Sequence, residues 1–160
     1  MTLAENVAAT LRAKSLKLAT AESCTGGMVA AAITDVAGSS EVFDRGFVTY
    51  SNLSKAEMLG VAPALIATHG AVSKQVAMAM ASGALLFSKA QISIAITGVA
   101  GPSGGTSEKP VGLVHFACAM QGSEELHIEH GFGPLSRGEI RTLACKAALD
   151  LILLQLERAA

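Results

Sequence analysis

Two short apolar segments, residues 16–21 and 91–97, limit the folds that this chain can adopt. Each has the length of a strand, and the segment QISIAIT (91–97) is apolar along nearly all of its length. A strand that is apolar on both faces must be covered on both sides, as strands are in α/β proteins. The sequence therefore predicts a sheet that lies between helices.

Helical patterns alternate with these segments. Residues 26–36 and 73–89 carry the small and apolar residues of helices that pack closely on a sheet, and residues 43–52 alternate like a second strand. Two later apolar segments, 110–120 and 125–132, are separated by QGSE and indicate a hairpin. We therefore expect an α/β fold with a mixed, mostly parallel sheet and helices on both faces.

Three pairs of residues have the spacing of a capping box, in which a hydroxyl is followed three residues later by glutamate. They are Thr2 with Glu5, Ser54 with Glu57, and Ser136 with Glu139. Each pair predicts that a helix begins there, and Gly60 predicts the end of the second of these helices. His69, which precedes Gly70, is expected in a turn.

Composition narrows the class of protein. The chain has 160 residues, a formal net charge of -1 and 4% aromatic residues, so we expect one domain over residues 1–160 and no nucleic-acid partner. A hydrophobic content of 51% favours a homo-oligomer. No apolar run reaches the roughly 18 residues of a membrane span, and the three cysteines show no disulfide or zinc spacing. We expect a cytoplasmic protein with reduced thiols, a small-molecule substrate and no membrane partner.

Polar side chains concentrate where three predicted strands end. Residues 23–25 follow the first strand, residues 50–52 follow the second, and Thr97 ends the third. In open α/β sheets ligands bind at the carboxyl ends of the strands. These residues are therefore candidates for one pocket.

The segment AESCTGG (21–27) has two interpretations. Ser23 or Thr25 could cap the helix that begins near Gly26 by accepting from its first amides. Alternatively, the turn could form an anion or nucleophile site, because those amides and the helix dipole favour negative charge.

The glycine-rich loop GVAGPSGGT (98–106) could be a generic turn or a nest of backbone amides for a phosphate, with Gly101, Gly104 and Gly105 turning the chain. Arg137 lies in the first turn of the last predicted helix, where the dipole disfavours a cation, so a bound anion nearby would resolve the conflict. The alternative is a solvated arginine. Arg141 lies one turn further on and could share its face.

Three residues are candidate nucleophiles: Ser23, Cys24 and Thr97. A serine or threonine needs a base, and Lys55 could act as one if its pKa were lowered; as an alternative it is an ordinary surface lysine. Three histidines, His115, His127 and His130, lie on the predicted hairpin without a carboxylate at ligand spacing, so no metal site is predicted.

Several long motifs resemble the carboxy-terminal domain of the CinA family, the competence/damage-inducible proteins. They are AESCTGG, RGFVTYSNLSKAEMLGV, HGAVS, ITGVAGPSGGTSEKPVG and SRGEIR, and the resemblance extends from Glu5 to Leu156. It implies a three-layer α/β/α domain and hydrolysis of the carboxamide of nicotinamide mononucleotide (NMN), with no metal or organic cofactor. Longer relatives carry an additional amino-terminal domain, so the chain is expected to be a stand-alone form.

The resemblance also implies site residues. The family's functional serine, tyrosine, threonine and arginine fall on Ser23, Tyr50, Thr97 and Arg137, and Lys55 is a weaker transfer. Our hypothesis for the expected catalytic residues Ser23, Tyr50, Lys55 and Thr97 is that Ser23 is the nucleophile and that Lys55 and Tyr50 polarise its hydroxyl. Thr97 and the amides at the start of the 26–36 helix would then stabilise the oxyanion. The expected substrate- and phosphate-binding residues are Thr25, Gly26, Gly101, Gly104, Gly105 and Arg137. Ser136 stands where the family usually has aspartate, and the loop has GTSEKP where the family often has GTPEKP. A non-catalytic nucleotide-binding module and a cysteine hydrolase that uses Cys24 are the alternatives.

Overall fold

The computed structural model describes residues 1–159, in which a five-stranded sheet is combined with six α-helices. The elements are α1 (Leu3–Ala13), β1 (Leu18–Glu22), α2 (Met28–Thr34), β2 (Phe43–Val48), α3 (Asn52–Leu59), α4 (Pro63–His69), α5 (Lys74–Leu86), β3 (Ile92–Gly98), β4 (Leu113–Met120), β5 (Leu126–Gly131) and α6 (Arg137–Arg158). Within residues 1–159, no helix combines the length and the hydropathy that crossing a membrane would require.

The strands are ordered β2-β1-β3-β4-β5 across the sheet. β1 is parallel to both β2 and β3, whereas β4 is antiparallel to both β3 and β5. The sheet is therefore mixed as expected, but its four pairings are evenly divided rather than mostly parallel. The reason is that loops, not crossover helices, connect β3 to β4 and β4 to β5, and such connections reverse the chain.

Helices cover both faces of the sheet, and the two faces differ in side-chain size. Ile92, Ile94 and Ile96 point to one side and pack in a core with α1, α2 and α6. Ala95 and Ala117 point to the other side, where α3, α4 and α5 cover the sheet. Because successive strand residues face opposite ways, β3 supplies both cores. The expected three-layer α/β/α arrangement is confirmed.

Two of the three expected capping boxes are present, those of Thr2 with Glu5 and of Ser136 with Glu139. The third is wrong: Ser51 caps α3, and its side chain accepts from Ser54 N at 3.0 Å. The helix begins one turn earlier than predicted because β2 already ends at Val48.

One helix, α4, was not predicted. It begins at Pro63, a residue that suits the first turn of a helix because its missing N–H would have no partner there. His69, which was expected in a turn, is its last residue.

Candidate active site

A cavity of about 350 Å³ opens where β1, β2 and β3 end. Its lining comes from five separate segments: Ser23, Cys24, Tyr50, Asn52, Lys55, Ala71, Val72, Thr97, Gly98, Val99, Ala100, Gly101, Ser103, Gly104 and Arg137. The structure therefore brings together all four expected catalytic residues with Gly101, Gly104 and Arg137. The volume is in the usual range of small-ligand sites.

Lys55 and Ser23 are in contact at the bottom of this cavity. Lys55 Nζ lies 3.1 Å from Ser23 Oγ and donates to the Thr49 carbonyl at 2.8 Å. Lys55 is 1% exposed and Ser23 is 8% exposed. Among residues 1–159 no carboxylate forms a salt bridge with Lys55. Burial therefore lowers the pKa of Lys55, although the nearby Cys24 acts in the opposite direction.

The sheet and α3 together fix this contact. Ser23 N donates to the Ile96 carbonyl at 2.9 Å, so the serine continues the pairing of β1 with β3 by one residue. Lys55 and Leu59 are one turn apart and both are buried, so they share the face of α3 that is turned to the sheet. A lysine on this face lies beside the end of β1.

Thr97 lies in the cavity wall and is 1% exposed. Its Oγ1 donates to the carbonyl of Ala71 at 2.9 Å. The hydroxyl hydrogen is therefore already used, which contradicts the expectation that Thr97 donates to an oxyanion from this conformation. Instead, Thr97 attaches the Ala71–Val72 segment to the cavity wall.

Arg137 connects two loops at the mouth of the cavity. Its Nη1 donates to the Gly101 carbonyl at 2.7 Å, and its Nη2 donates to the Tyr50 hydroxyl at 2.8 Å. Tyr50 is 61% exposed. Neither partner is a carboxylate, and within residues 1–159 no carboxylate forms a salt bridge with Arg137, so its positive charge is not compensated. This arrangement leaves a cation next to the glycine-rich loop, as the sequence suggested.

Thr25 and Gly26 do not line the cavity, contrary to the sequence-based expectation. The Thr25 hydroxyl donates to Glu22 Oε1 at 2.7 Å instead of capping α2. Glu22 itself accepts from the amides of Val29 and Ala30 at 2.9 and 3.0 Å. The first amides of α2 are therefore occupied by a side chain of the protein, and the expected anion site there is excluded.

Sequence reasoning missed Glu22, although the sequence contained a signal for it. A glutamate at the end of an apolar, fully buried strand is costly unless its carboxylate finds donors. The nearest unpaired donors along the chain are the amides at the start of the next helix. Ser103 and the Ala71–Val72 segment also line the cavity; they lie within the motifs GVAGPSGGT and HGAVS, but none of these three residues was named as a site residue.

Cys24 is a poor nucleophile in this structure. Burial raises the pKa of its thiol to about 11, so the thiolate is scarce at neutral pH. Arg141, which was expected on the face of Arg137, donates instead to the carbonyls of Cys24 and Thr25 at 3.0 and 3.3 Å. The geometry therefore favours Ser23 over Cys24.

Gly105, which was expected to bind phosphate, lies outside the cavity lining. A Cβ on it would lie 2.8 Å from the Val111 amide nitrogen, so this glycine permits close packing of two backbone segments. Lys109 Nζ donates to the carbonyl of His69 and attaches the end of the loop to α4.

The three histidines of the predicted hairpin lie on β4 and β5, as expected: His115 on β4, and His127 and His130 on β5. His115 Nδ1 and His127 Nε2 lie 2.9 Å apart, and His130 stacks on Phe132. Within residues 1–159, no group of three or more histidine, cysteine or acidic side chains could hold a metal ion.

The fold and the site together define the class of protein: an α/β/α domain that holds a buried lysine–serine pair in a cavity at the ends of its strands. The model of the CinA C-terminal domain matches residues 1–156, so the chain belongs to this family.

Individual relatives agree with this assignment. The chain is 48% identical to the nicotinamide-nucleotide amidohydrolase PncC of Escherichia coli K12, over 95% of this chain and 92% of that protein. It superposes with a TM-score of 0.94 on a crystal structure of the competence/damage inducible protein CihA from Agrobacterium tumefaciens, which is 48% identical and matches 97% of this chain and 93% of that one. A CinA superfamily protein from E. coli gives a TM-score of 0.90 at 37% identity, over 96% and 88% of the two chains.

Proposed function

We propose that the protein is a nicotinamide-nucleotide amidohydrolase, which converts NMN and water to nicotinic acid mononucleotide and ammonia. The observation that carries this proposal is the contact between Lys55 Nζ and Ser23 Oγ in the strand-end cavity. The name and the 48% identity of the E. coli relative support the choice of substrate.

The chemistry begins with Ser23 Oγ attacking the carboxamide carbon while its proton passes to Lys55 Nζ. The C–N bond then breaks, and the leaving nitrogen takes this proton from Lys55 and departs as ammonia. A water molecule, activated in turn by neutral Lys55, hydrolyses the resulting ester and regenerates the Ser23 hydroxyl. Lys55 can accept a proton in each half of the cycle because burial lowers its pKa.

The oxyanion requires donors other than those the sequence suggested, because Glu22 uses the amides of Val29 and Ala30. Cys24 lines the cavity, and its N–H donates to no backbone carbonyl within residues 1–159. This N–H belongs to the turn that carries Ser23, so it is our proposed oxyanion donor, whereas Thr25 is fully buried outside the cavity lining. A donor of this kind contributes about 3 kcal/mol to transition-state stabilisation.

The 5′-phosphate is proposed to bind at Arg137, Gly101 and Gly104. Arg137 is a cation without a carboxylate partner among the described residues, and it already contacts the glycine-rich loop through the Gly101 carbonyl. A guanidinium can bind phosphate through two hydrogen bonds at once. Anchoring the phosphate there would orient the pyridine ring toward Ser23.

The test is ammonia release from NMN by the wild type, by Ser23→Ala and by the control Ser82→Ala. Ser82 lies outside the cavity lining, and its hydroxyl donates a hydrogen bond to the Glu125 carboxylate. We expect Ser23→Ala to lose turnover by at least about 10³-fold while NMN still raises its melting temperature. Turnover retained by Ser23→Ala would contradict the proposed nucleophile. A wild type that binds NMN without releasing ammonia would be a binding module.

The proposal includes a cytoplasmic location and a homo-oligomer. A nucleotide that carries a charged phosphate does not cross a bilayer unaided, so the enzyme must share the compartment of its substrate. Leu53 and Met58 on α3 are 68% and 42% exposed, and apolar surface of this kind favours a subunit interface. Light scattering of the purified protein measures the oligomeric state.

A further inference from the structure

We propose that Glu22 and Arg141 are positioning residues that hold the Ser23–Thr25 turn from two sides and so keep Ser23 Oγ in contact with Lys55. This inference rests on the proposed function in one respect, namely that Ser23 is the nucleophile. Neither side chain lines the cavity, so neither is a catalytic residue.

Glu22 holds the turn from the side of α2. Its carboxylate is fully buried and accepts three hydrogen bonds, from the Thr25 hydroxyl and from the amides of Val29 and Ala30. The last residue of β1 is thereby linked to the first turn of α2. The residues between them, including Ser23, form a closed loop whose two ends cannot separate without breaking buried hydrogen bonds.

Arg141 holds the same turn from the side of α6. Its Nε and Nη2 donate to the carbonyls of Cys24 and Thr25 at 3.0 and 3.3 Å. Because a peptide unit is planar and trans, the carbonyl of Cys24 and the N–H of Thr25 point in opposite directions. Arg141 therefore fixes the orientation of the peptide unit that joins Cys24 to Thr25, and the N–H of Cys24, our proposed oxyanion donor, begins the same residue.

The turn is built so that the guanidinium can approach it closely. A Cβ on Gly26 would lie 3.3 Å from Arg141 Nη2, and Gly26 has a φ of +56° that side chains rarely adopt. The glycine of AESCTGG that was expected to bind substrate therefore makes room for a positioning residue. The sequence therefore correctly indicated a constrained turn at Gly26, but the group that packs against this glycine is the Arg141 side chain and not the substrate.

A small displacement of this turn matters because the proton transfer depends on one contact. Ser23 Oγ and Lys55 Nζ are 3.1 Å apart, at the upper end of the range for a good hydrogen bond. A shift of about 1 Å in a reacting group can reduce turnover by about 10²-fold. Arg137, which is proposed to bind the phosphate, contacts other segments, so the affinity for substrate should change much less than turnover.

The experiment uses Glu22→Gln and Arg141→Lys, each with a matched control. Gln directs an NH₂ group at an amide that needs an acceptor, and Lys cannot donate to two carbonyls through one planar group. Glu5→Gln is the first control, because Glu5 is also a capping carboxylate. Arg12→Lys is the second, because Arg12 also donates to a loop carbonyl, that of Gly38.

We expect kcat for ammonia release to fall about 10- to 100-fold in Glu22→Gln and Arg141→Lys, with KM within about threefold of the wild type. Both controls should retain wild-type kcat. Assays are run below each melting temperature, so that loss of folded protein cannot imitate the effect. An unchanged kcat, or a loss that only follows the unfolded fraction, would overturn the proposal.

A second readout separates this proposal from the choice of substrate. Phenylmethanesulfonyl fluoride sulfonylates an activated serine: the Ser23 Oγ–S bond forms, the S–F bond breaks, fluoride leaves and the hydroxyl proton passes to Lys55. The rate of sulfonylation, followed by intact-protein mass spectrometry, should fall in Glu22→Gln and Arg141→Lys. It should not change in the controls Glu5→Gln and Arg12→Lys. If the wild type released no ammonia from NMN, the proposed function would fail, and the relative sulfonylation rates would still decide the role of Glu22 and Arg141.

Discussion

Lys55 is unusual because it is a fully buried lysine without an acidic partner in the described part of the chain. Its ammonium group would have to be desolvated and is stabilised only by neutral oxygens, those of Ser23, Thr49 and Tyr50. This environment disfavours the charged form and lowers the pKa. Such a cost is expected where a neutral amine is needed as a base.

At this scale we predict the effect of pH on turnover. Lys55 is active as a base when neutral, and a lowered pKa enlarges the neutral fraction at any pH below 10.5. We therefore expect kcat to rise with pH and to level off below 10.5. In Lys55→Met, kcat should fall by about 10² to 10⁴-fold.

The control for this prediction is Lys14→Met, which removes a lysine outside the cavity. Both variants and the wild type are assayed for ammonia release between pH 6 and pH 10. A wild-type rate that keeps rising up to pH 10 would contradict a substantially lowered pKa of Lys55, and an active Lys55→Met would show that another group takes the proton.

The element that carries Lys55 is positioned by a close contact between α3 and α5. A Cβ on Gly83 of α5 would lie 2.0 Å from the Leu59 carbonyl oxygen of α3, so the two helices touch through backbone atoms. Alanines on the facing side of the sheet, such as Ala95 and Ala117, let α5 lie close to the strands. Small residues in this layer therefore fix the distance between α3 and the end of β1.

We predict that Gly83→Ala destabilises the protein by about 1 to 3 kcal/mol, because the new methyl group overpacks a backbone contact. Gly138→Ala in α6 is the matched control, since a Cβ there meets nothing within 4 Å. Alanine is the better helix former, so this control should stabilise by about 0.5 to 1 kcal/mol. Urea unfolding measures both changes, and equal effects in the two variants would refute the packing explanation.

In the whole molecule, the cavity exists because the topology collects segments that are far apart in the sequence. Arg137 and Tyr50 are hydrogen-bonded at 2.8 Å although 87 residues separate them. A ligand that contacts several of these segments binds only the folded chain. It must therefore raise the stability of the whole protein, by about 2.7 kcal/mol at a concentration of 100 times Kd.

We predict that the increase in melting temperature caused by NMN, measured with Ser23→Ala to prevent turnover, is largely lost when Arg137→Gln is added. The reason is the loss of charge-assisted hydrogen bonds to the phosphate, which should weaken binding about 10- to 100-fold. Arg158→Gln, near the end of α6, is the control. A full shift with Arg137→Gln would place the phosphate elsewhere.

Much of this structure could be predicted locally. The apolar segments became β1 and β3, the hairpin became β4 and β5, and two capping boxes begin helices as expected. Local sequence patterns gave Ser23, Lys55 and Arg137 two alternatives each. Ser23 could cap a helix or act as a nucleophile, Lys55 could be a surface lysine or a base, and Arg137 could be a solvated arginine or bind an anion. Sequence reasoning could not choose between these possibilities.

The sequence by itself determined which segments form strands and helices, because periodicity and capping are local properties of neighbouring residues. Only the tertiary structure decided that Lys55 is buried against Ser23, that Glu22 occupies the amides of α2, and that Thr97 and Arg141 bind loop carbonyls. Each of these contacts joins groups on different elements or satisfies a buried polar group, and both depend on how the elements pack.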